Sequence, residues 1–231
     1  MRIGIICAIP NELRYFSLTE NSIQKIGKRK FYKGRYLKHD LILVQSGLGK
    51  VNAAVVSTLL IEKFECKLLL FYGVAGGIDP RIEIGEVIIA DSLVQYDYGK
   101  LENGEMLTFR PGTIPTGKAK NVLEYGLNSK IKDKIKASLP NVRMGKFLTG
   151  DVFLQCRDTQ NKLFEKYKAQ AIDMESAAVA QVAEQFGIPA VIVRCISDMA
   201  GVGSQKISSK FLNKAAKRSS NTAQKILNIL L

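Results

Sequence analysis

The most regular hydrophobic patterning in the chain runs over residues 171–201, AIDMESAAVAQVAEQFGIPAVIVRCISDMAG. Val179, Val182, Ala183 and Phe186 recur at helical spacing, which predicts a helix with one apolar face. Gly187 suits a left-handed C-terminal cap, and Pro189 bars the helix from continuing. The run AVIVRCI over 190–196 then reads as a short strand buried on both faces, as in a parallel sheet. Helix, short loop and apolar strand make half of a βαβ unit. Three features break the apolar pattern: Asp173-Met174-Glu175 at the helix entry, Arg194 inside the strand, and Ser197-Asp198 at its C-terminal end. Ligands of open α/β sheets sit outside the carboxyl ends of strands, so Asp198 is a site candidate. The alternative is that Asp173 caps the helix, Glu175 favours its dipole and Asp198 begins a turn. Arg194 favours the functional reading, because a charge in a buried strand needs a partner and two carboxylates lie nearby in sequence.

The same patterning predicts the other elements. RIGIICAI over 2–9 is an N-terminal strand; Pro10 fits the first turn of a helix, and Glu12 falls in that turn. Such a junction is where α/β enzymes place groups that face a ligand, although Glu12 by itself reads more simply as favouring the helix dipole. Residues 28–45 pattern as a hairpin turning at 38–40. Ser46-Gly47-Leu48-Gly49-Lys50 leads into an amphipathic helix over 51–64. A glycine-rich turn there can cradle an anion, but no GxxxxGK(S/T) loop is present and a tight turn is the plainer reading. KLLLFYGVAGG over 67–77 is a second buried strand, and its Gly76 and Gly77 permit close backbone approach. Further on, a strand is expected over 82–90, a loop-rich insert over 95–117 and a Lys-rich helix over 118–139. A strand over 142–153, a short polar helix over 159–168 and a closing helix over 208–231 complete the chain. No repeat, low-complexity tract or linker divides these elements, which predicts one α/β domain spanning residues 1–231.

Composition narrows the chemistry. A chain of 231 residues, 46% hydrophobic and 24% charged, has the make-up of a soluble globular domain with a full core. No stretch approaches the roughly 18 apolar residues of a membrane span. MRIGIICAIPNEL lacks the pattern of a signal peptide, so a cytoplasmic protein with no membrane partner is expected. Cys7, Cys66, Cys156 and Cys195 are scattered without a CxxC, which predicts free thiols in a reducing compartment. With His39 the only histidine and no cysteine cluster, neither a zinc site nor a Ser-His-Asp triad is expected. The net charge of +13 raises nucleic acid or another acidic surface as a partner. However, the lysines spread over 25–38, 118–146 and 206–225 without interleaved aromatic residues, as a generally Lys-rich composition would place them. No nucleic-acid partner is expected.

Four segments, in their order and spacing, resemble one family: GIICAIPNE; SGLGKVNAA; GVAGGI with GEVIIAD; and GDVF followed by AIDMESAAVA and VRCISDMAG. They are similar to the 5′-methylthioadenosine/S-adenosylhomocysteine nucleosidases of the nucleoside phosphorylase/nucleosidase superfamily. The likeness runs from Met1 to about the last helix, including FLNKAAKRSS, and is interrupted mainly over 95–146. It implies a three-layer α/β/α fold around a central mixed twisted sheet, a homodimer, and hydrolysis of an N-glycosidic bond with no metal or cofactor. Asp198 of the SD pair matches the family's general acid at adenine N7. Glu12 matches the carboxylate that holds the attacking water, and Arg194 the arginine beside that water. Met174 and Glu175 match the pair that holds the ribose, with Glu175 on its hydroxyls. Phe153 matches the ring stacked on the adenine, and Leu154 the residue whose backbone meets the base edge. Val74, Ala75 and Gly76 match the substrate-binding turn after the second buried strand. Val74 stands where the family often has Ser, and Ser208 where it often has Phe, so a hydroxyl near the water and a ring in the 5′-substituent pocket are missing.

These residue types suit the chemistry. Breaking a ribose–purine bond develops a cationic sugar and an anionic purine, so the leaving group needs an acid held neutral near pH 7. The water needs an acceptor on the opposite side, the cation needs nearby negative charge, and the purine needs a flat apolar slot. Three other readings compete. A phosphorolytic relative would need an arginine-lined phosphate site where this chain has AIPNE, and the carboxylate of Glu12 repels phosphate. A futalosine-type hydrolase uses the same acid positions. A binder of nucleosides or nucleic acid without catalysis would have no need of the Glu12/Asp198 pair.

Overall fold

In the computed structural model, which describes residues 1–37, 39–116, 123–201 and 209–231, the apolar runs form a large mixed sheet between helical layers. Its centre is β1 (Ile3–Cys7), β5 (Leu68–Gly77) and β12 (Ala190–Met199), which lie parallel. Period-two alternation sends their successive side chains to opposite layers. Ile5, Leu70 and Val193 pack towards α6 (Ser209–Leu230) through Ala223 and Ile226. Ile6, Phe71 and Ile192 pack towards α2 (Lys50–Glu62) and α5 (Ser176–Gln185). This is the expected three-layer α/β/α arrangement.

The sheet runs in the order β11 (Ala171–Asp173), β10 (Arg143–Thr149), β6 (Val87–Gln95), β12, β5, β1, β4 (His39–Gln45), β3 (Arg29–Tyr36), β2 (Thr19–Ile26). β11 also pairs back onto β5, Ala171 against Gly77 and Ile172 against Gly76. The strands β11, β10, β6, β12 and β5 therefore close on themselves. The two glycines also face the end of β12: a Cβ on Gly77 would stand 2.7 Å from the Met199 sulfur, and one on Gly76 would stand 3.0 Å from the Ala200 side chain and 3.4 Å from Ile172 of β11. The close approach expected of Gly76 and Gly77 is thus approach to strands β11 and β12.

Several boundaries differ from those expected. The strand placed over 82–90 is β6, which begins only at Val87 and continues to Gln95, because the preceding IEIG forms a turn with Gly85 at φ 92°. The insert over 95–117 is not simply loop: β7 (Gly99–Glu102) and β8 (Glu105–Thr108) form a hairpin through Asn103-Gly104, both at positive φ. Within 118–139 only α3 (Ser129–Ser138) is helical; Tyr125–Gly126 pairs with β6 as β9, and residues 117–122 lie outside the described set. β10 ends at Thr149, which leaves Phe153 on a loop before α4 (Arg157–Tyr167). β12 runs on past Ile196, so Ser197 and Asp198 are strand residues. β2 is an edge strand that the pattern missed. Gly187 takes the left-handed conformation expected of a cap, φ 66°. All four cysteines are free, with Cys7, Cys66 and Cys195 buried and Cys156 exposed.

Candidate active site

The carboxyl ends of β5 and β12, the entry to α5 and the loop after β10 surround a cleft of about 250 Å³. Other hollows are as large, up to about 430 Å³ beside Ile135 and Pro140, but this one gathers buried carboxyl groups at strand ends. Val74, Ala75, Gly76, Phe153, Leu154, Met174, Glu175 and Asp198 line it. Glu12 and Arg194, each 1% exposed, lie behind its floor. Ile9, Leu48, Val152, Ile172, Ser197 and Ala200 line it too, and sequence reasoning named none of these as site residues. For all but Leu48 the signal was adjacency, each lying within three residues of a named site position; Leu48 belongs to the glycine-rich turn over 46–50. Ser208 lies outside the described residues.

Glu12 belongs to α1 (Pro10–Leu13), a single turn that Pro10 starts directly after β1. Its side chain folds back, so that Oε2 accepts from the N–H groups of Ala8 at 2.6 Å and Ile9 at 3.1 Å. Oε1 accepts from the N–H of Val74 at 2.9 Å. Burial pushes this carboxyl above its ordinary value, while Arg194 and the three backbone donors pull it down. A Cβ on Gly73 would collide with both Glu12 Oε1 and Arg194 Nη1, so glycine here lets the two charged groups converge. Glu12 does serve the start of its helix, since its bond to Ile9 N–H is a capping-box bond, and the bond to Val74 N–H reaches beyond that role.

Arg194 has the carboxylate partners its buried position required. Nε donates to Asp173 Oδ2 at 2.9 Å, Nη2 donates to Ser176 Oγ at 3.0 Å, and Nη2 lies 3.8 Å from Glu175 Oε2. The guanidinium stacks on Phe71, 3.8 Å from the ring centroid. Asp173 also accepts from the N–H of Ser176 at 3.1 Å through its other oxygen. It is therefore both a helix cap and an ion-pair partner, so the two competing readings of this residue both hold.

Glu175 Oε1 accepts from the N–H of Gly49 at 2.9 Å, and Asp151 Oδ1 accepts from the N–H of Lys50 at 2.9 Å. The glycine-rich turn before α2 does cradle anions, and they are the protein's own carboxylates. Burial and then the charge of Asp173 push Glu175 up to about 7, against the pull of Arg194 and Gly49. Asp198 follows a bulge in the pairing of β12 with β5, which re-aims its side chain. It accepts from Ser197 Oγ at 2.8 Å, and burial raises its carboxyl against that single bond. Ala200 N–H donates to Gly77 O at 3.0 Å and Gly201 N–H to Leu154 O at 3.2 Å, which stitches the Asp198 strand end to the loop carrying Phe153. The cleft thus offers two buried acids, both raised by burial but unequally supplied with donors, a cation between carboxylates, and apolar walls.

The sequence pattern of the phosphorylase superfamily matches residues 2–231. A 5′-methylthioadenosine/S-adenosylhomocysteine nucleosidase of Mycobacterium bovis is 34% identical over 99% of this chain and 97% of that protein. The chain belongs to this nucleosidase family of the phosphorylase superfamily. A crystal structure of S-adenosylhomocysteine nucleosidase from Streptococcus pyogenes with 5-methylthiotubericidin superposes with a TM-score of 0.88 at 31% identity, covering 100% of this chain and 98% of that one. Futalosine hydrolase of Helicobacter pylori superposes with a TM-score of 0.85 at 27% identity, covering 98% and 97%.

In this member of the nucleosidase family the cleft mouth is tied by Lys50. Its Nζ donates to Asp97 Oδ1 at 2.7 Å and lies 3.6 Å from Asp151 Oδ2. Asp151 N–H donates in turn to Asp97 Oδ2 at 2.9 Å. The knot joins α2, the end of β6 and the loop that presents Phe153, whose side chain stands 58% exposed at the mouth. Among the described residues no helix is long and apolar enough to cross a membrane.

Proposed function

We propose that the chain hydrolyses the N-glycosidic bond of 5′-methylthioadenosine and S-adenosylhomocysteine and releases adenine. The observation that carries this reading is the contrast between two buried carboxyl groups. Asp198 has one hydroxyl donor against the burial that raises it, whereas three N–H donors and Arg194 oppose the burial of Glu12. Asp198 gives its proton to the departing purine as the bond from the base nitrogen to the ribose breaks. The cationic sugar carbon takes the oxygen of a water, and Glu12 accepts the proton which that water loses. Exchange with solvent then restores both groups. Arg194 steadies the water, and Glu175 binds the ribose hydroxyls beside Met174 and balances the sugar cation. Phe153 stacks on the base, the Leu154 backbone meets its edge, and Val74, Ala75 and Gly76 form the floor. Val74 supplies no hydroxyl, and its N–H instead fixes Glu12.

The enzyme works as a homodimer of single 231-residue domains in the cytoplasm and serves methionine salvage. Leu48, Val51, Val152 and Phe153 are exposed apolar groups beside the mouth, and a second copy laid there would cover them. Residues 96–109 are the region proposed to reach into the partner's cleft. Phe109 is buried within its own chain, so the exposed hairpin residues Leu101, Met106 and Leu107 are the groups free to do so. The test is release of the free purine base in phosphate-free buffer, adenine from 5′-methylthioadenosine and S-adenosylhomocysteine and hypoxanthine from futalosine. Adenine formed at full rate without phosphate is expected. A rate that depends on phosphate would sink hydrolysis, and turnover of futalosine alone would shift the activity to that relative's substrate.

A further inference from the structure

The guanidinium of Arg194 is held on three sides. Nε is taken by Asp173 Oδ2, Nη2 by Ser176 Oγ, and the plane is set by the Phe71 ring. Ser176 Oγ–H donates to Asp173 Oδ2, so the hydroxyl has spent its only proton and meets Nη2 as an acceptor. The direction of the chain is fixed: Arg194 to Ser176 to Asp173. Only Nη1 has no hydrogen-bond partner, and it converges with Glu12 Oε1 above Gly73.

Asp173 does not owe its position to Arg194. Its Oδ1 accepts from Thr149 Oγ1 at 2.7 Å, from Ser176 N–H at 3.1 Å and from Glu175 N–H at 3.3 Å. Thr149 Oγ1 is itself fixed by the N–H of Ala177 at 3.0 Å. The carboxylate is therefore anchored through one oxygen to β10 and the first turn of α5, and presents the other to the arginine. All four side chains are buried. Without Oδ2 and the Ser176 hydroxyl, the nearest remaining anion for Arg194 is Glu175, and turning towards it would withdraw Nη1 from Glu12.

We propose that Asp173 and Ser176, locked by Thr149, are positioning residues that leave Arg194 with one unpartnered nitrogen, Nη1, aimed at the attacking water. This rests on the hydrolytic reading of the cleft. Capping uses Oδ1 and positioning uses Oδ2, so the two roles separate experimentally.

The experiment compares wild type, Ser176→Ala and Asp173→Asn. Turnover of 5′-methylthioadenosine is measured across pH, adenine affinity and melting temperature are determined, and exchange of the Arg194 Nε–H is followed by NMR. Ser176→Ala leaves the cap and every charge in place. Its kcat is expected to fall roughly 100-fold, as for a misplaced catalytic contact, with KM and adenine affinity little changed and the acid limb of the pH profile unmoved. In Asp173→Asn kcat falls further and the acid limb moves to lower pH, because the charge of Asp173 helps to raise Glu175. The facing groups from other elements, Arg194 and Glu12, remain. Slow exchange of Nε–H in wild type and its loss in Asp173→Asn are expected. Wild-type kcat in Ser176→Ala, adenine affinity falling in step with kcat, or fast Nε–H exchange in wild type would overturn the proposal. If Asp173→Asn does not fold, Ser176→Ala decides. If wild type releases no adenine at all, the hydrolytic reading fails, and the exchange measurement still tests whether Arg194 is clamped.

Discussion

Glu12 and Asp198 stand at the ends of two strands that flank β5, and both are buried, yet their surroundings are opposed. Burial alone drives both carboxyl groups towards the neutral form. On the Glu12 side three backbone N–H groups and the field of Arg194 oppose it; on the Asp198 side a single serine hydroxyl does. The lesson is that burial sets no role. The donors around each carboxyl group are what differ: three N–H groups and Arg194 for Glu12, one hydroxyl for Asp198.

The hardest test of this contrast is to remove each charge while keeping its shape. Asp198→Asn and Glu12→Gln are each expected to lower adenine release by roughly two to four orders of magnitude, the usual worth of a positioned acid or base. Affinity for an uncleavable nucleoside analogue separates them. Asp198→Asn is expected to weaken it, since the proposed role places that group at the base, whereas Glu12→Gln is expected to leave it near wild type. Near wild-type turnover in either variant would remove the role assigned to that residue.

A second substitution strikes one side only. A methyl group on Gly73 collides with Glu12 Oε1 and Arg194 Nη1 and touches nothing of Asp198. Gly73→Ala is expected to cost roughly 100-fold in kcat through misplacement of those groups, with adenine affinity preserved. Unchanged kcat would show that the convergence of Glu12 and Arg194 is not needed.

The smallest effect is read from pH. Glu175 rises from an ordinary 4.5 to about 7 in the folded chain, so turnover should decline below about pH 7 as its negative charge is lost. Burial raises Asp198 as well, and on its proposed role loss of its proton should also slow turnover. For stability the sign is fixed by proton uptake: between 4.5 and about 7 the folded state holds a proton on Glu175 that the unfolded state has released. The contribution of this group is therefore full below 4.5 and disappears as pH rises towards 7. Melting temperatures of the ligand-free wild type and Glu175→Gln should converge on the acid side and separate through that window. Parallel curves would show that Glu175 titrates normally.

Much of the site was legible because it interrupts a strong pattern. Arg194 in an apolar strand required a carboxylate, and Asp173 supplies it at 2.9 Å. Asp198 was visible as an acid at a strand end. Glu12 stood out less by itself, since a four-residue helix has no periodicity to read, and its water-holding role came from the family resemblance. The hairpin at 99–108 was missed for a different reason. Its strands GKLE and EMLT carry weak alternation, although Asn103-Gly104 is a strong two-residue turn signal that was present to be used.

What the sequence by itself determined is the succession of buried strands and amphipathic helices, because side-chain periodicity is local and each residue type records it. What only the tertiary structure decided is which backbone N–H meets which carboxylate. Glu12 takes the N–H of Val74, 62 residues away, and Glu175 that of Gly49, 126 residues away. Every residue but proline carries the same N–H group, so no residue type announces these bonds. They arise when β5 and the turn before α2 are brought against the two acids, and that assembly sets how each acid holds its proton.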